Sequence, residues 1–348
     1  MCAYPIRGEQ WKLGWCPETV YGTDPSVAGT LYNNFFGVVQ DATLPDVQTD
    51  FQPFYGLGTS SVRNWYVMYR GKQTMSGSIS NFVMLNGSFL YLPFGGTSAA
   101  PSEANELSSF SLHAQYMYSD GSAGALIRRF HGGKVNRMTI SASEGGFLTG
   151  SIDEMLFSSY SHNASGASGV PHYVADLTTG IPVATATYSC EQPWLFSGGT
   201  LSLWGTPFAR VRNFRISVNN ACQPKYYITS GYAHAQLPYE IREGKRDYSM
   251  TCTVDIEDSS IYAELLNQGG GATGDMTGFV VSIAFTRTLT STPDVITITS
   301  PAGGTVACGG DAQGCFIKQA PHNISTGENL VSVPMTIMMR SVGITLTS

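Results

Sequence analysis

Residues 69–80 read YRGKQTMSGSIS, and residues 242–254 read REGKRDYSMTCTV. Each stretch places Gly-Lys at a predicted turn and then continues as a strand in which Ser or Thr alternates with larger residues. Gly71 and Gly244 lie 173 positions apart in a chain of 348 residues, which is almost half of its length. A pattern that recurs at half the chain length indicates a tandem duplication of one β module.

A further block supports the same interpretation. Residues 132–155, GGKVNRMTISASEGGFLTGSIDEM, are similar in pattern to residues 314–338, GCFIKQAPHNISTGENLVSVPMTIM, with Leu148 and Leu330 lying 182 positions apart. The blocks follow one another in the same order in both halves. The different separation is explained by one loop insertion between the blocks.

The chain length and a candidate linker favour two domains. A chain of this length is long for one core and suits two domains, each of which can bury most of its apolar surface. The stretch 162–173 is rich in Gly, Ser and Asn, as linkers are. We therefore expect a first β module with an N-terminal arm over residues 1–165 and a second β module over residues 175–348.

Strand patterns run through most of the chain. In residues 136–143, Met138, Ile140 and Ala142 alternate with polar residues, which gives a strand one buried face and one solvated face. The spacing of such strands favours a mainly β fold, built as two tandem antiparallel β-sandwich or barrel modules. Further strands are predicted at 62–69, 110–118, 147–157, 200–205, 212–220, 249–256, 278–287, 294–300 and 329–340.

Helical patterns are few and short. Asp258 is a candidate N-cap before an apolar stripe over residues 261–266, and Gly269 follows as a stop signal. The matching stretch of the first half, residues 86–96, contains Pro93, which would interrupt a helix. Each module is therefore expected to carry one short flanking helix, the first less regular than the second.

The composition argues against several classes of protein. Charged residues make up 13% of the chain, and the net charge is −6. A protein that grips nucleic acid needs clustered Lys and Arg, so an acidic chain of this kind is not expected to do so. Low charge also suggests a surface covered by small polar residues or by other copies of the protein.

The sequence predicts neither a secretory signal nor a membrane span. The N-terminal stretch lacks an apolar core after a basic start, and no run of 18 apolar residues occurs. We therefore expect the chain to be made in a cytoplasm. Its seven cysteines, an odd number, fit that compartment, with Cys308 and Cys315 left as one candidate pair.

No catalytic, cofactor or metal motif stands out. The chain has no G-x-S-x-G, H-E-x-x-H or G-x-x-x-x-G-K-[ST] pattern, and its six histidines lack metal-ligand spacing. The carboxylate pairs Asp153-Glu154 and Glu257-Asp258 are adjacent in sequence, so within a strand we expect them to point to opposite faces. We predict a protein that is not an enzyme and has no cofactor.

The quoted blocks, taken in order, resemble a known family. The sequences QPFYGLGTSSVRNWYVMYRGKQTMSGSIS (52–80), HGGKVNRMTISASEGGFLTGSID (131–153), RNFRISVNNACQPKYYI (212–228) and YEIREGKRDYSMTCTVDIED (239–258) are similar to strands of tail tube proteins, or major tail proteins, of long-tailed non-contractile bacteriophages. The similarity lies in the order of the blocks, from about residue 50 to the end, and no single motif is specific.

The resemblance implies a fold, a function and partners. It implies β-sandwich modules with a flanking helix, in the duplicated form in which three chains make a ring of six modules. Stacked rings would form the tail tube, the conduit for DNA ejection, in a virion assembled in the host cytoplasm. The implied partners are other copies, a tape measure protein inside, tail terminator and tip proteins at the ends, and DNA as transient non-specific cargo, with no membrane.

The resemblance also suggests assembly contacts. The Gly-Lys pairs precede strands similar to the ring-forming sheet of the family, so residues 72–80 and 245–255 are expected near subunit joints. Residues 17–60 are expected to form an extended arm or loop that contacts the next ring. The candidate assembly residues are Phe51, Phe54, Tyr55, Gly71, Lys72, Gly244 and Lys245.

Two other functions fit part of the pattern. A carbohydrate-binding adhesion protein of a phage tail tip would also be rich in β-strands, weakly charged and aromatic. Its mark would be Trp and Tyr exposed together on a concave face, whereas the five Trp are scattered along the sequence. A polysaccharide-cleaving enzyme is the third alternative.

Overall fold

The protein is an assembly of antiparallel strands. The computed structural model describes residues 6–25, 32–55, 65, 67–118, 126–163, 192–203, 205–208, 210–228, 236–256, 278–288, 293–302, 314–321 and 331–347. The strands are β1 (Ile6–Pro17), β2 (Asp41–Phe54), β3 (Val67–Val83), β4 (Phe110–Tyr118), β5 (Leu126–Ser143), β6 (Thr149–Phe157), β7 (Ser159–His162), β8 (Gly199–Leu203), β9 (Thr206–Phe208), β10 (Val211–Asn219), β11 (Gln223–Lys225), β12 (Glu240–Arg242), β13 (Asp247–Ile256), β14 (Val281–Thr288), β15 (Pro293–Ser300), β16 (Phe316–Gln319), β17 (Val331–Met339) and β18 (Gly343–Thr347). The mainly β, antiparallel fold expected from the alternating patterns is confirmed.

The largest sheet has an eight-strand path in the order β2-β3-β6-β5-β10-β13-β17-β16. One face is dry, because alternate residues such as Met75, Ile140 and Ile216 are buried. The other face is wet, and on β3 it is formed by Ser76 and the alternate serines after it. This alternation is what a sheet with one solvated face requires.

A second layer covers the dry face. Strand β4 pairs with β1 on one side and with the first part of β5 on the other, and β7 pairs with that same part of β5. In the second half, β8, β14, β15 and β18 form the corresponding layer, with β9 beside β8. Strand β5 passes from one layer to the other at Gly132 and Gly133, where φ at Gly132 is +63° and a side chain at Gly133 would collide with Phe157.

The apolar core lies between the layers and is continuous through both halves. One cluster of buried side chains joins Phe82 and Phe110 of the first half to Phe214 and Phe285 of the second. Burying each such side chain contributes about 1.5–3 kcal/mol to stability. The two halves therefore share a core.

A single helical turn lies beside the sheet in the first half. A 3₁₀ turn at Ser88–Leu90 leads into α1 (Tyr91–Phe94), whose residues are all buried. Pro93 is tolerated because the first N–H groups of a helix have no partner within the helix. The helix predicted after Asp258 lies outside the described residues.

The strand order of the first half recurs in the second. Strands β2-β3-β6-β5 are followed across the sheet by β10-β13-β17-β16, which is the same order. The second layers also agree, since β1-β4-β5-β7 corresponds to β8-β14-β15-β18. A repeated order in both layers is the topology that a duplicated module would have.

Cross-strand registers repeat with the separations seen in the sequence. Met75 lies opposite Phe157, and Tyr248 lies opposite Met339. These pairs are related by 173 positions in one strand and 182 in the other. Both halves also have a register shift at the matching place, beside Val135 in β5 and beside Ile317 in β16.

The structure corrects the turn predicted at Gly71. Gly71 and Lys72 lie inside β3, at a register shift where the two residues stand opposite the single residue Asp50. This is a β-bulge, and glycine suits it because a Cβ at Gly71 would lie 2.7 Å from the Asp50 carbonyl oxygen. Gly244 does lie in a connection, between β12 and β13.

The extended arm predicted over residues 17–60 is also wrong in part. Residues 41–54 form β2, a strand of the large sheet. Tyr32 and Phe36 are buried in the core instead of being available to another ring. Aromatic residues followed by turn signals suggested a loop, but the first of them belong to the interior of the fold.

The adjacent carboxylates Asp153 and Glu154 do not point to opposite faces. Asp153 accepts a bond of 2.8 Å from Thr139 Oγ1, and Glu154 accepts one of 3.0 Å from Arg137 Nε. Both donors lie on the wet face of β5. A register shift between Arg137 and Met138 places both acids on that same face. Each carboxylate is held in hydrogen bonds that stabilise the sheet.

Candidate assembly surfaces

The eight-strand path ends in two edges. Among the described residues, β2 pairs only with β3, and β16 pairs only with β17. The stretches 72–80 and 245–255, expected near subunit joints, lie in β3 and in and just before β13, which have strands on both sides. Sheet edges expose unpaired N–H and C=O groups, so β2 and β16 are the candidate joints.

The contact between β5 and β10 shows how such an edge is covered. These strands join the two halves through seven residue pairs, from Asn213 opposite Ser143 to Asn219 opposite Arg137. Met138 and Val218 lie opposite each other at this joint and are both buried. One half therefore buries the edge of the other by extending the sheet.

The outer edges of the sheet, β2 and β16, have residues that match those of the β5–β10 contact. Among the described residues, no further strand covers these two edges. By register, Val47 of β2 corresponds to Val218 of β10. Val47 and Ala320, which follows β16, are only partly buried against the core. The rim of the apolar core is thus open at both ends of the sheet.

Strands β2 and β3 continue beyond the sheet as a two-stranded projection, which we call the ribbon (residues 48–55, 65 and 67–74). Strand β6 pairs with β3 only from Met75 onward. Beyond that point the ribbon is held by its own ladder, from Gln48 opposite Thr74 to Phe54 opposite Val67. Its base is braced by the second half, because Gln73 N donates to Gln236 O at 2.7 Å.

The ribbon is apolar on both faces. Phe54 and Tyr69 share one face and meet edge to face, with ring centroids 5.3 Å apart. Phe51 and Met68 lie on the opposite face. The three aromatic residues predicted as contacts, Phe51, Phe54 and Tyr55, are 53–69% exposed. Exposed apolar groups of this kind make the ribbon a candidate interaction surface.

The structure brings together five of the seven predicted contact residues. Phe51, Phe54 and Tyr55 lie towards the tip of the ribbon, and Gly71 and Lys72 lie at its base. Gly244 instead lines a polar cleft at the junction of the two halves, and Lys245 follows it in an exposed connection. The sequence analysis missed further exposed apolar residues, among them Trp65, Met68 and Tyr69 on the ribbon and Tyr227, Ile228 and Tyr239 beside β11 and β12.

The polar cleft, of about 910 Å³, contains a tight ion pair. Lys134 Nζ lies 2.6 Å from Glu243 Oε1, and the backbone N–H of Leu107 donates to the same carboxylate oxygen. Burial acts to raise the pKa of Glu243, but the hydrogen bond from Lys134 and the others leave that pKa below its usual value. The pair links Lys134 of β5 to Glu243, which follows β12, and so ties the two halves together.

One cluster has the residue types of a catalytic triad. Ser111 Oγ lies 3.0 Å from His131 Nδ1, and His131 Nε2 lies 4.0 Å from Asp24 Oδ2. Ser111 also donates to Glu18 Oε1 at 2.5 Å. Ser111 and His131 are both buried, so no polymeric substrate reaches the hydroxyl.

The same cluster fastens the segment after β1 to the second layer. Asp24 accepts from Arg129 Nη1 at 2.8 Å, and Glu18 accepts from the backbone N–H groups of Gly22 and Gly132. Burial lowers the pKa of His131 to about 4. The neutral histidine and the paired charges therefore form a network that stabilises the fold. Within the described residues, no cluster of His, Cys, Asp and Glu has the geometry to hold a metal ion.

Hydroxyl groups cover much of the wet face of the large sheet. Ser141 Oγ and Thr149 Oγ1 lie 3.2 Å apart across two strands, and Arg215 donates to Thr139 Oγ1 at 3.3 Å. Arg137 on the same face is paired with Glu154. Such a face binds water and its own neighbours, and in the part that the structure describes it presents no cluster of unpaired cations to a polyanion.

Open sheet edges and exposed apolar side chains are features that assembling proteins share. A comparison with known families gives a more specific result. A model of the phage tail tube protein family matches residues 8–339. The chain belongs to the phage tail tube protein family. No curated protein matches the sequence.

Membership of this family gives the tail tube protein a structural role. It is a component of the virion tail that associates with itself and with other tail components. A structural role of this kind is not an enzymatic one. Among the described helices, none has the length and apolar character to cross a membrane.

The adhesion alternative finds no support in the tryptophans. Trp15 and Trp194 are buried in the core, Trp11 is half-buried on β1, and Trp65 is exposed on the ribbon. The described tryptophans therefore form no shared platform for stacking sugar rings. The family match likewise favours a tube component over a carbohydrate-binding tip protein.

Proposed function

We propose that three chains close into a ring of six β modules, over residues 1–165 and 175–348 of each chain, and that rings stack into the tail tube. The observation that carries this proposal is the contact between β5 and β10, where the second repeat of the strand order follows the first edge to edge. A contact of this head-to-tail kind, repeated between chains, closes a ring when the rotation per module suits it.

The same contact specifies how chains would meet. If β16 of one chain meets β2 of the next as β5 meets β10, Gln319 lies opposite Gln48 and Ala320 opposite Val47. That pairing would cover both open rims of the core with apolar neighbours. Each joint would then extend the sheet, so that the ring carries one continuous sheet on its inner side.

The wet face suits the lining of a DNA channel. Its hydroxyl groups are hydrogen-bonded to one another, and its acids include exposed Asp41 and Asp46 on β2. A polyanion slides past a neutral or mildly acidic wall because no run of cations holds its phosphates. DNA would pass as transient cargo during ejection, through a tube assembled in the host cytoplasm.

Further partners are those that the family implies. A tape measure protein would occupy the lumen, and a terminator and a tip protein would bind the two ends of the tube. In this arrangement, the β2 and β16 edges pair with each other within the ring. The end partners would therefore bind the ring faces.

Electron microscopy of the purified full-length chain tests the proposal. We expect stacked rings with a central hole once the protein is concentrated or nucleated. Sedimentation should show loss of subunits into fast-moving particles at the same concentrations. A protein that stays monomeric at tens of micromolar, under all nucleation conditions tried, would refute the proposed function.

A further inference from the structure

The end of the sheet opposite the ribbon carries a second exposed apolar surface. Val38, Phe147 and Leu195 are 40–49% exposed, although each adjoins residues of the core. We call these three residues the rim patch. Exposed apolar groups gathered at one end of a sheet mark a surface for a partner.

Backbone pairing holds the rim patch in place. Phe147 and Leu195 are direct partners in an isolated bridge, and Val38 is paired in the same way with Val83. Val83 lies opposite Thr149, two residues beyond Phe147, so the three side chains stand on the same side of adjoining segments. The patch is therefore preformed and needs no rearrangement to receive a partner.

The ribbon and the rim patch lie at opposite ends of one strand pair. At the ribbon end, Phe54 lies opposite Val67, and at the other end Asp41 lies opposite Ser80, close to Val38. Two different apolar surfaces at opposite ends of one molecule favour a heterologous contact. Such a contact repeats without limit along an axis.

The charges near the two surfaces are complementary. Exposed Asp41 and Glu144 lie close in the chain to Val38 and Phe147, and Arg212, whose carbonyl oxygen accepts from Glu144 N, is paired with Asp255. Among its described residues, the ribbon has exposed Arg70 and Lys72 against one exposed acid, Asp50. Opposite charges favour ribbon-to-patch encounters, and like charges oppose ribbon-to-ribbon and patch-to-patch encounters.

We infer that the rim patch is the seat for the ribbon of a second copy of this chain in the adjacent ring. This inference rests on the proposed tube. The apolar side chains supply cohesion, and the flanking charges fix the direction of stacking. Every ring then presents ribbons at one end and seats at the other, so that the tube grows with one polarity.

A charge placed in the seat tests the inference. Phe147→Asp should leave a folded chain, because Phe147 is half exposed, and should raise the concentration needed for tubes at least tenfold. The matched control is Met338→Asp, which places the same charge on an exposed apolar residue of β17, outside the ribbon and at the opposite end of the sheet from the seat. Unchanged tube formation by a folded Phe147→Asp chain would overturn the inference.

Photo-cross-linking identifies what the seat binds. A benzophenone amino acid at position 147 should, in tubes, cross-link to a peptide within residues 48–74 of another chain, which isotope-labelled subunits distinguish from its own. The same replacement at position 195 gives an independent reading. Tubes whose cross-links map elsewhere would contradict the seat while leaving the proposed function intact, whereas a wild-type chain that forms no tubes contradicts both.

Discussion

The carboxylate of Glu18 accepts three hydrogen bonds, from Ser111 and from the N–H groups of Gly22 and Gly132. Two buried histidines lie in the same network. Burial and then Arg129 lower the pKa of His113 to about 3, and burial lowers that of His131 to about 4. Both histidines are therefore neutral in the folded protein at neutral pH.

These histidines predict a loss of stability in acid. In the unfolded chain each titrates near its ordinary pKa of about 6.5, so between that value and about 4 the unfolded state binds more protons. Stability is then fully present above pH 6.5 and falls as the pH falls, by up to about 1.4 kcal/mol per pH unit for each histidine. Chemical denaturation of the subunit from pH 7 to pH 4 measures this slope.

A variant assigns the slope to its source. His113→Gln retains an acceptor for Arg129 and removes one titrating group, so we expect a shallower dependence of the unfolding free energy on pH. His162→Gln, at the partly exposed end of β7, is the matched control. Equal slopes in wild-type and His113→Gln chains would show that His113 does not contribute.

The ribbon exposes apolar side chains that no packing within the single chain explains. An isolated two-stranded hairpin is marginally stable in water, and this one exposes aromatic residues on both faces. Phe51 and Phe54 are more than half exposed, and we propose that they contact a partner. The structure of the subunit and the structure of the assembly should therefore respond differently to changes in them.

Phe51→Ser with Phe54→Ser tests this separation. We expect the unfolding free energy of the subunit to change by about 0.5 kcal/mol or less, since the residues are exposed. Tube formation should be lost at concentrations where the wild type assembles. Thermal unfolding and sedimentation measure the two effects, and a variant that assembles normally would exclude the ribbon from stacking.

The edge strands allow a matched pair of substitutions. Val47→Lys puts a charge on the open edge, where the side chain can reach water, so the subunit should fold but fail to close rings. Val218→Lys puts the charge at the matching buried position, and should cost on the order of several kcal/mol in folding. Circular dichroism separates the two, and a Val47→Lys chain that still forms rings would argue against β2 as a joint.

Strands with regular alternation were predictable from the sequence, and others were not. The predictions at 110–118 and 212–220 agree with β4 and β10 within one residue. Strand β2 was missed because exposed and half-buried residues mix along it, as edge strands allow. The bulge at Gly71 was taken for a turn, because glycine before a strand has the same local pattern in both cases.

The sequence predicted some of the candidate contact residues but not how they are arranged in three dimensions. Phe51, Phe54 and Tyr55 stood out as a dense aromatic run, whereas Met68 and Tyr69 were assigned to an ordinary strand. Only the pairing of β2 with β3 beyond the reach of β6 shows that both runs are exposed. Val38, Phe147 and Leu195 come from three segments, and no local pattern joins them.

At the scale of the whole molecule, cohesion of the assembly should be largely apolar. With 13% of its residues charged, the chain has few ions to pair between copies. Salt screens exposed charges that lie farther apart than about 10 Å at 0.1 M, or about 3 Å at 1 M. We therefore expect preformed tubes to survive 1 M salt. Light scattering after a salt jump measures this, and dissolution of the tubes would show that charge pairing holds them.

The central claim is that one chain supplies two sixths of a ring, and a reconstruction of the tube by electron cryomicroscopy tests it most directly. Three chains of 37.4 kDa give a ring of about 112 kDa with true three-fold symmetry. We expect six similar lobes per ring, alternating between first and second modules, with β16 of each chain beside β2 of the next. A ring of six chains, or two modules of one chain in different rings, would contradict it.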